Sequence, residues 1–250
     1  MNKPEPEVLG RLTACLPPGW EPSQAPFVDM LFSLRVGGAG PRPNVRNYHL
    51  LYAGLRQAAR TMDLDELFHA LESEVQLFVA EHGRERIFVH AGAVGWKGQA
   101  ILLPGRSYSG KSTLVAALLR AGATYYSDEY AVLDGNGHVH PYARKLGLRQ
   151  PDGPTRRRAA EELGGRTGTR PLPVGAVVVT RYQPGARWRP QRLTPGRALL
   201  ELLDNTVPAL SRPEEAVTVL QQVVPRSVNF KGLRGEAEEA ADVLLRAVKE

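Results

Sequence analysis

A glycine-rich segment over residues 100–114 has the residue types and the spacing of a phosphate-binding loop. From Gly105 to Ser112 it follows the pattern G-x-x-x-x-G-K-S. In this pattern loop N–H groups and a helix N terminus converge on an anion, the lysine reaches the outer phosphates, and the hydroxyl serves Mg²⁺. The segment therefore predicts that a nucleoside triphosphate binds at Gly105, Arg106, Ser107, Tyr108, Ser109, Gly110, Lys111, Ser112 and Thr113, with Ser112 offering its hydroxyl to Mg²⁺.

The residues on either side predict the elements that position this loop. Residues 100–103 are a short apolar run that ends at Pro104-Gly105, as a buried strand does. Apolar residues then recur at helical spacing over residues 114–119, and Gly122 follows as a stop signal. A glycine turn capped by Ser112 is the alternative, which the strand–loop–helix order disfavours.

A histidine upstream of the loop is a second candidate. Trp96-Lys97-Gly98-Gln99 predicts a two-residue hairpin between a strand that begins at residue 86 and the strand entering the loop. With Lys97-Gly98 at the turn, residues whose numbers sum to about 195 face each other, which places His90 opposite Gly105. A histidine beside phosphates can take part in proton transfer, whereas a packed structural imidazole is the alternative.

Two adjacent acids, Asp128 and Glu129, follow the strand predicted after the phosphate-loop helix. A right-handed crossover would place this strand beside the first one, with its carboxyl end at the same sheet edge as the loop. Two carboxylates at that edge can hold a metal and accept a proton. An acidic turn between strands is the alternative.

Basic residues come soon after the acids. Arg144, Lys145 and Arg149 are candidate substrate contacts. Residues 150–173 are rich in Gly, Pro and Arg and are predicted to form a mobile loop. Its Arg156-Arg157-Arg158 run is either a solvated stretch or a contact for ATP phosphates or an acidic substrate.

The composition is that of a folded protein without a membrane-spanning segment. Hydrophobic residues make up 42% of the chain and charged residues 23%, and no apolar run approaches the roughly 20 residues that a spanning helix needs. The net charge of +6 is compatible with nucleic-acid binding, but the sequence contains no zinc finger, recognition-helix pattern or basic stripe with interleaved aromatic residues that would support such binding. A single cysteine, Cys15, excludes an internal disulfide. We expect a cytoplasmic protein and leave a homo-oligomer open.

The pattern of elements predicts two regions. Residues 1–83 are expected to form a small α+β region, with a proline-rich arm over residues 1–25, strands near residues 27–36 and 48–52, and a helix that Asp63 caps. Residues 84–250 are expected to form an α/β domain that carries every candidate site residue.

Taken together, the motifs resemble the C-terminal catalytic domain of HPr serine kinase/phosphorylase. They also resemble the small HPr-kinase-like proteins found with peptide natural products, including lasso-peptide kinases. The resemblance covers residues 86–150 well and residues 174–250 in outline. It is carried by four segments: His90-Ala-Gly-Ala-Val, G-R-S-Y-S-G-K-S-T-L, Gly122-Ala followed by Asp128-Glu129, and Pro141-Tyr-x-x-x-Leu-x-Leu.

This resemblance implies a P-loop kinase fold of the HPr kinase and phosphoenolpyruvate carboxykinase type. It implies transfer of the γ-phosphate of ATP to a serine or threonine hydroxyl on a protein or a short precursor peptide. Asp128, oriented by His90, would accept the hydroxyl proton, while Lys111 would neutralise developing charge. Ser112 and Glu129 would hold Mg²⁺.

The chain departs from the family in two places. Glu129 stands where the family usually has aspartate, and residues 1–83 do not resemble the family's usual N-terminal domain. The signature loop of the phosphorylase reaction is also not found, which disfavours HPr itself as the substrate. A small-molecule alcohol kinase and a nucleotide-binding sensor or scaffold without transfer are the alternatives.

Overall fold

A computed structural model of the chain describes residues 6–37, 46–106, 109–150 and 153–248. It divides into two compact units, Met1–Val79 and Ala80–Glu250. No helix within the described residues combines the length and the hydropathy required to cross a bilayer.

The first unit contains a helix, a three-stranded antiparallel sheet and most of a second helix. Its elements are α1 (Pro6–Ala14), β1 (Phe32–Arg35), β2 (His49–Ala53), β3 (Arg56–Thr61) and α2 (Leu64–His82). The strand order is β1-β2-β3. Asp63 caps α2 as predicted, because its carboxylate accepts the N–H groups of Asp65 at 2.7 Å and Glu66 at 3.3 Å.

The prediction of a proline-rich arm with little structure is wrong for residues 6–14. They form α1 because Val8 and Leu12, four residues apart, pack against a buried cluster that includes Phe68 and Leu71 of α2. Cys15 is buried beside the same cluster. The predicted strand near residues 27–36 is shorter than expected and spans only β1.

The second unit has a mixed α/β architecture, which confirms the predicted α/β class. Its strands are β4 (Ile87–Trp96), β5 (Gln99–Pro104), β6 (Thr124–Ser127), β7 (Tyr130–Leu133), β8 (His138–His140), β9 (Leu146–Gln150), β10 (Gly153–Arg158), β11 (Arg166–Thr167), β12 (Leu172–Tyr182), β13 (Gln191–Arg192) and β14 (Val228–Arg234). Its α-helices are α3 (Lys111–Arg120), α4 (Pro195–Leu203), α5 (Pro213–Val223) and α6 (Ala237–Ala247), with short 3-10 helices at Glu161–Leu163 and Val207–Ala209.

The β4–β5 hairpin has the predicted register. Pairs run from Ala91 opposite Pro104 to Trp96 opposite Gln99. Lys97 and Gly98 form the turn with φ angles of 49° and 80°, the left-handed values that such a two-residue turn requires. The register continues past the strands, where the Gly105 N–H donates to the His90 carbonyl at 3.3 Å. The histidine therefore lies opposite the first residue of the loop.

The main sheet brings several strand ends to one edge. β12 pairs in parallel with β5 on one side and with β14 on the other, while β4 lies antiparallel between β5 and β6. β6 therefore runs in the direction of β5 without touching it. The expectation that β6 lies directly beside β5 is wrong, because the hairpin partner β4 already occupies that side of β5. The carboxyl ends of β5, β6, β12 and β14 still face the same way.

Helices cover both faces of this sheet. Successive residues of β5 point to opposite sides, so Ile101 and Leu103 join the cluster formed with α3 and α6, while Ala100 and Leu102 join the cluster formed with α4 and α5. The near-continuous apolar sequence of β5 is thus explained by burial on both faces.

The prediction of a mobile loop over residues 150–173 is wrong for most of its length. β10 pairs with β9 in an antiparallel hairpin, a 3-10 helix follows with Leu163 buried, and β11 adds to β6 in parallel. Residues 151–152 lie outside the described part of the chain. Composition alone predicted a loop here, because the segment is polar and rich in Gly and Pro. Strand pairing and one buried leucine order it.

Candidate functional site

The loop between β5 and α3 presents an open helix N terminus. Gly110 is the N-cap residue, with a φ of 87°, and as a glycine it has no side chain that could cap the helix. The first turn contains no acidic residue, and the first helical bond runs from the Leu114 N–H to the Gly110 carbonyl. The preceding N–H groups, those of Lys111 to Thr113, are therefore in the place where a phosphate binds at a helix start.

The side chains of the loop also suit an anion. Lys111 Nζ donates to the carbonyls of Gly105 at 2.6 Å and Arg106 at 3.0 Å, so the ammonium lies across the loop. Desolvation lowers the pKa of Lys111, and the charges of Glu129 and Asp128 oppose this shift. The buried Ser109 hydroxyl has no hydrogen-bond partner among the described residues. These features fit a bound phosphate chain.

The predicted nucleotide-binding set also includes Arg106, Ser107, Tyr108 and Thr113. Arg106 and Thr113 are exposed. Ser107 and Tyr108 lie outside the described residues.

Asp128 is buried against the start of α3. It is 7% exposed and accepts a hydrogen bond from the Tyr125 hydroxyl at 3.1 Å. The Ser112 hydroxyl and the Gly147 N–H also hydrogen-bond its carboxyl group. Burial raises the pKa of Asp128 to about 6, with the charge of Glu129 adding to the rise and the three hydrogen bonds opposing it. The phosphate-loop serine and the first acid are thus in direct contact.

This burial predicts a pH-dependent cost to stability in the metal-free protein. The native state keeps the Asp128 proton up to pH about 6, whereas the unfolded chain releases it near pH 4. The free energy of unfolding should therefore fall as pH rises through this window, by about 2 kcal/mol. Asp128→Asn lacks this titration, so its stability relative to wild type should improve by that amount between pH 4.5 and 7.5.

Urea denaturation of both proteins in the presence of a chelator measures this difference. Subtracting the two proteins at each pH removes the other titrating groups, which they share. An Asp128→Asn effect that is the same at both pH values would contradict the proposed cost of burial.

Glu129 and His90 form a separate pair. His90 Nε2 lies 3.0 Å from Glu129 Oε1, and their side chains are 21% and 50% exposed. The backbone fixes both residues, since the His90 N–H donates to the Asn205 carbonyl at 2.7 Å and the Ala91 N–H donates to the Glu129 carbonyl at 3.1 Å. The expectation that His90 orients Asp128 is therefore corrected. The imidazole contacts the second, more exposed acid.

The basic segment 144–149 passes beside Asp128. The Arg144 carbonyl accepts the Tyr125 hydroxyl at 2.9 Å, and the Gly147 N–H reaches Asp128 itself. Lys145 and Arg149 are exposed on either side of this contact. All three predicted substrate residues thus lie on a segment that contacts Asp128.

His138 and His140, an H-x-H sequence at the β7–β8 turn, lie close to Asp134. His140 Nε2 lies 2.9 Å from Asp134 Oδ2, and Asp134 also accepts the backbone N–H groups of Asn136 and His138. No group of three or more His, Cys, Asp or Glu side chains within the described ranges is arranged to hold a metal ion. A cation at Ser112 would therefore need oxygens from phosphates and water, the usual situation for Mg²⁺.

Three residues around the loop are not indicated by any sequence pattern. Tyr125 supports Asp128, Arg234 donates to the Gly110 carbonyl at 2.8 Å, and Tyr182 lies beside Arg234. The last two stand at the carboxyl ends of β14 and β12. Only the parallel pairing of β12 with β5, and of β14 with β12, brings them to the loop. A search for polar and aromatic residues at the ends of predicted strands could have found them.

Comparison of the chain with known protein families and with curated proteins finds no match in either case.

Proposed function

We propose that this protein is an ATP-dependent kinase that transfers the γ-phosphate to a serine or threonine hydroxyl on a short peptide. One observation carries the proposal. An open phosphate loop, the Ser112–Asp128 contact and the Glu129–His90 pair lie at one edge of the sheet. A phosphate donor, a metal and a proton acceptor are the three requirements of phosphoryl transfer to an alcohol.

The loop would bind the phosphate chain. The uncapped start of α3 offers N–H groups, and Lys111 has only neutral carbonyl partners in hydrogen-bonding distance among the described residues. A phosphate oxygen, being charged, is a stronger acceptor for the ammonium than either carbonyl. Lys111 would then place its charge where negative charge spreads over the transferred group.

Ser112 and Asp128 are the residues that would hold Mg²⁺. In phosphate-loop enzymes the metal is held by the loop serine or threonine together with an aspartate from a neighbouring strand. Asp128 follows β6 and already contacts the Ser112 hydroxyl. When bound, the ion supplies positive charge that neutralises the β- and γ-phosphate oxygens.

Glu129 is the better placed proton acceptor. It is half exposed and hydrogen-bonded to His90, whereas Asp128 is enclosed by Tyr125, Ser112 and Gly147. In the transfer, the acceptor hydroxyl oxygen forms a bond to the γ-phosphorus as the bond to the β,γ-bridging oxygen breaks. ADP leaves and the hydroxyl proton passes to the Glu129 carboxylate. The geometry therefore favours an exchange of the two roles that the family resemblance assigned to the acids.

A peptide acceptor is supported by the surroundings of the acids. The anchored segment 144–149 offers exposed Lys145 and Arg149 within a few residues of the Asp128 contact. Such cations can bind carboxylates or carbonyls on either side of an acceptor serine. The motifs shared with HPr-kinase-like proteins favour the same class of acceptor.

The test is transfer from γ-labelled ATP by the full chain with Mg²⁺. A panel of serine- and threonine-containing peptides, a panel of small alcohols and a no-acceptor control should be compared. We expect a phosphorylated peptide whose mass spectrum places the phosphate on serine or threonine. Product formed only from small alcohols would favour the metabolite kinase. ATP binding without any product would leave only a nucleotide-binding sensor or scaffold.

A further inference from the structure

Two strand ends border the phosphate loop on the side away from the acids. β5 lies between β4, which carries His90, and β12, which ends at Tyr182. β14 pairs in parallel with β12 and ends at Arg234. The γ-phosphate of a donor must lie near the acids for transfer to occur. The rest of the nucleotide would then extend past β5 toward Tyr182.

Arg234 is a buried cation beside the loop. It is 2% exposed, and its guanidinium donates to the carbonyls of Gly110 at 2.8 Å and Gly235 at 2.9 Å. Its Nε has no hydrogen-bond partner among the described residues, and no described carboxylate lies within ion-pair distance of it. Burial lowers the pKa of Arg234, and the more distant charges of Glu236 and Glu238 oppose this shift. A buried guanidinium without a close ion pair is costly, and a bound phosphate chain next to Gly110 would add negative charge beside it.

Because Gly110 has no side chain, the Arg234 guanidinium can occupy the space beside it. A Cβ at position 110 would collide with the Arg234 guanidinium and would lie 3.7 Å from the Tyr182 Cβ. The loop glycine, the arginine and the tyrosine are therefore in one contiguous group.

Tyr182 presents an aromatic ring at this point. The Arg234 guanidinium carbon lies 5.5 Å from the ring centre, and the hydroxyl donates to Glu236 Oε1 at 3.2 Å. These contacts fix the ring, yet the residue remains 43% exposed. Among the described residues of the second unit it is the one aromatic side chain with this degree of exposure. A fixed and open ring beside a phosphate loop is suited to stacking on a base.

We propose that Tyr182, held by Arg234 and Glu236, is the stacking platform for the purine base of the nucleotide. The inference rests on the proposed function, since it requires a nucleotide on the loop. Stacking uses the flat face of the base, and every purine has one. The platform should therefore accept adenine and guanine nucleotides alike.

Calorimetric titration of two ligands tests this platform. ATP carries a base, whereas inorganic tripolyphosphate offers only the phosphates, and both are titrated with Mg²⁺ into the full chain. Tyr182→Ala should weaken ATP binding by about tenfold or more, the usual size of one base–aromatic stack, and should leave tripolyphosphate binding within about twofold. Tyr182→Phe keeps the ring and its contact with Arg234 but loses the hydrogen bond to Glu236, so it should retain most of the affinity for ATP and should bind tripolyphosphate as wild type does.

The possible failures are distinguishable. Equal losses for both ligands in Tyr182→Ala, or no loss for ATP, would overturn the platform and leave the proposed kinase intact. Wild-type protein that binds tripolyphosphate as tightly as ATP would overturn it too. Wild-type protein that binds neither ligand would remove the nucleotide site, and the proposed function with it.

Discussion

Replacing Lys111 by methionine should reduce the rate of phosphoryl transfer by about 10³-fold or more, with the fold retained. The ammonium lies across the loop, where its two carbonyl partners can be exchanged for phosphate oxygens. Methionine has a similar unbranched length and removes the charge together with the two hydrogen bonds that the ammonium donates. Because desolvation already lowers the pKa of Lys111, loss of that charge should not destabilise the folded state. Single-turnover rates at saturating ATP measure the effect on the chemical step.

Two controls make this result specific. The thermal midpoint of Lys111→Met should stay within a few degrees of wild type, which excludes unfolding as the cause. Lys111→Arg keeps a cation and should recover part of the rate, since the guanidinium cannot reproduce the compact geometry of the ammonium. A methionine variant that transfers phosphate nearly as fast as wild type would show that the loop does not hold the donor.

Local sequence determined the loop and the hairpin that positions it. The Lys97-Gly98 turn requires two left-handed residues, and this turn type alone fixed the pairing that brings His90 to Gly105. The loop and helix could be predicted for the same reason, since Gly110 and the apolar face of α3 are signals within a few residues of one another. At such positions, residues close together in the sequence determine the conformation of the backbone.

The different environments of Asp128 and Glu129 could not be predicted in this way. A register shift in β6 separates the Tyr125–Val94 and Ser127–Ala93 pairs, so one residue is bulged just before Asp128. A shift of one residue exchanges the faces of a strand, so simple alternation along β6 does not give the burial of the residues that follow it. The residue types at positions 128 and 129 do not indicate that bulge.

The far side of the loop depends on contacts distant in the sequence. Arg234 reaches Gly110 across 124 positions, and this contact exists only because β14 joins the sheet beside β12. The order of strands after β5 is a property of the whole unit and is not encoded in any single motif. Residues that support a site from distant strands are therefore the ones that pattern analysis misses.

Asp128→Asn and Glu129→Gln should separate metal binding from proton transfer. Glu129→Gln keeps the size of the side chain and removes its capacity to take a proton, so kcat should fall by about 10²- to 10⁴-fold. Its affinity for ATP with Mg²⁺ should stay within a few-fold of wild type, because the Ser112 hydroxyl hydrogen-bonds Asp128, whereas Glu129 hydrogen-bonds His90. Asp128→Asn removes the carboxylate beside Ser112 and should raise the Mg²⁺ concentration for half-maximal rate by about 10- to 100-fold.

Mg²⁺ titrations of the rate, with nucleotide affinity measured on the same proteins, distinguish the two assignments. A matched third variant, His90→Asn, keeps both carboxylates and should lower kcat less than Glu129→Gln does, without changing the Mg²⁺ requirement, because the imidazole only positions Glu129. The opposite pattern, with the Mg²⁺ requirement raised by Glu129→Gln and the rate lost in Asp128→Asn at every Mg²⁺ concentration, would return the proton to Asp128. In that case the buried acid would have to become exposed when the acceptor binds, since Tyr125, Ser112 and Gly147 enclose it in the free protein.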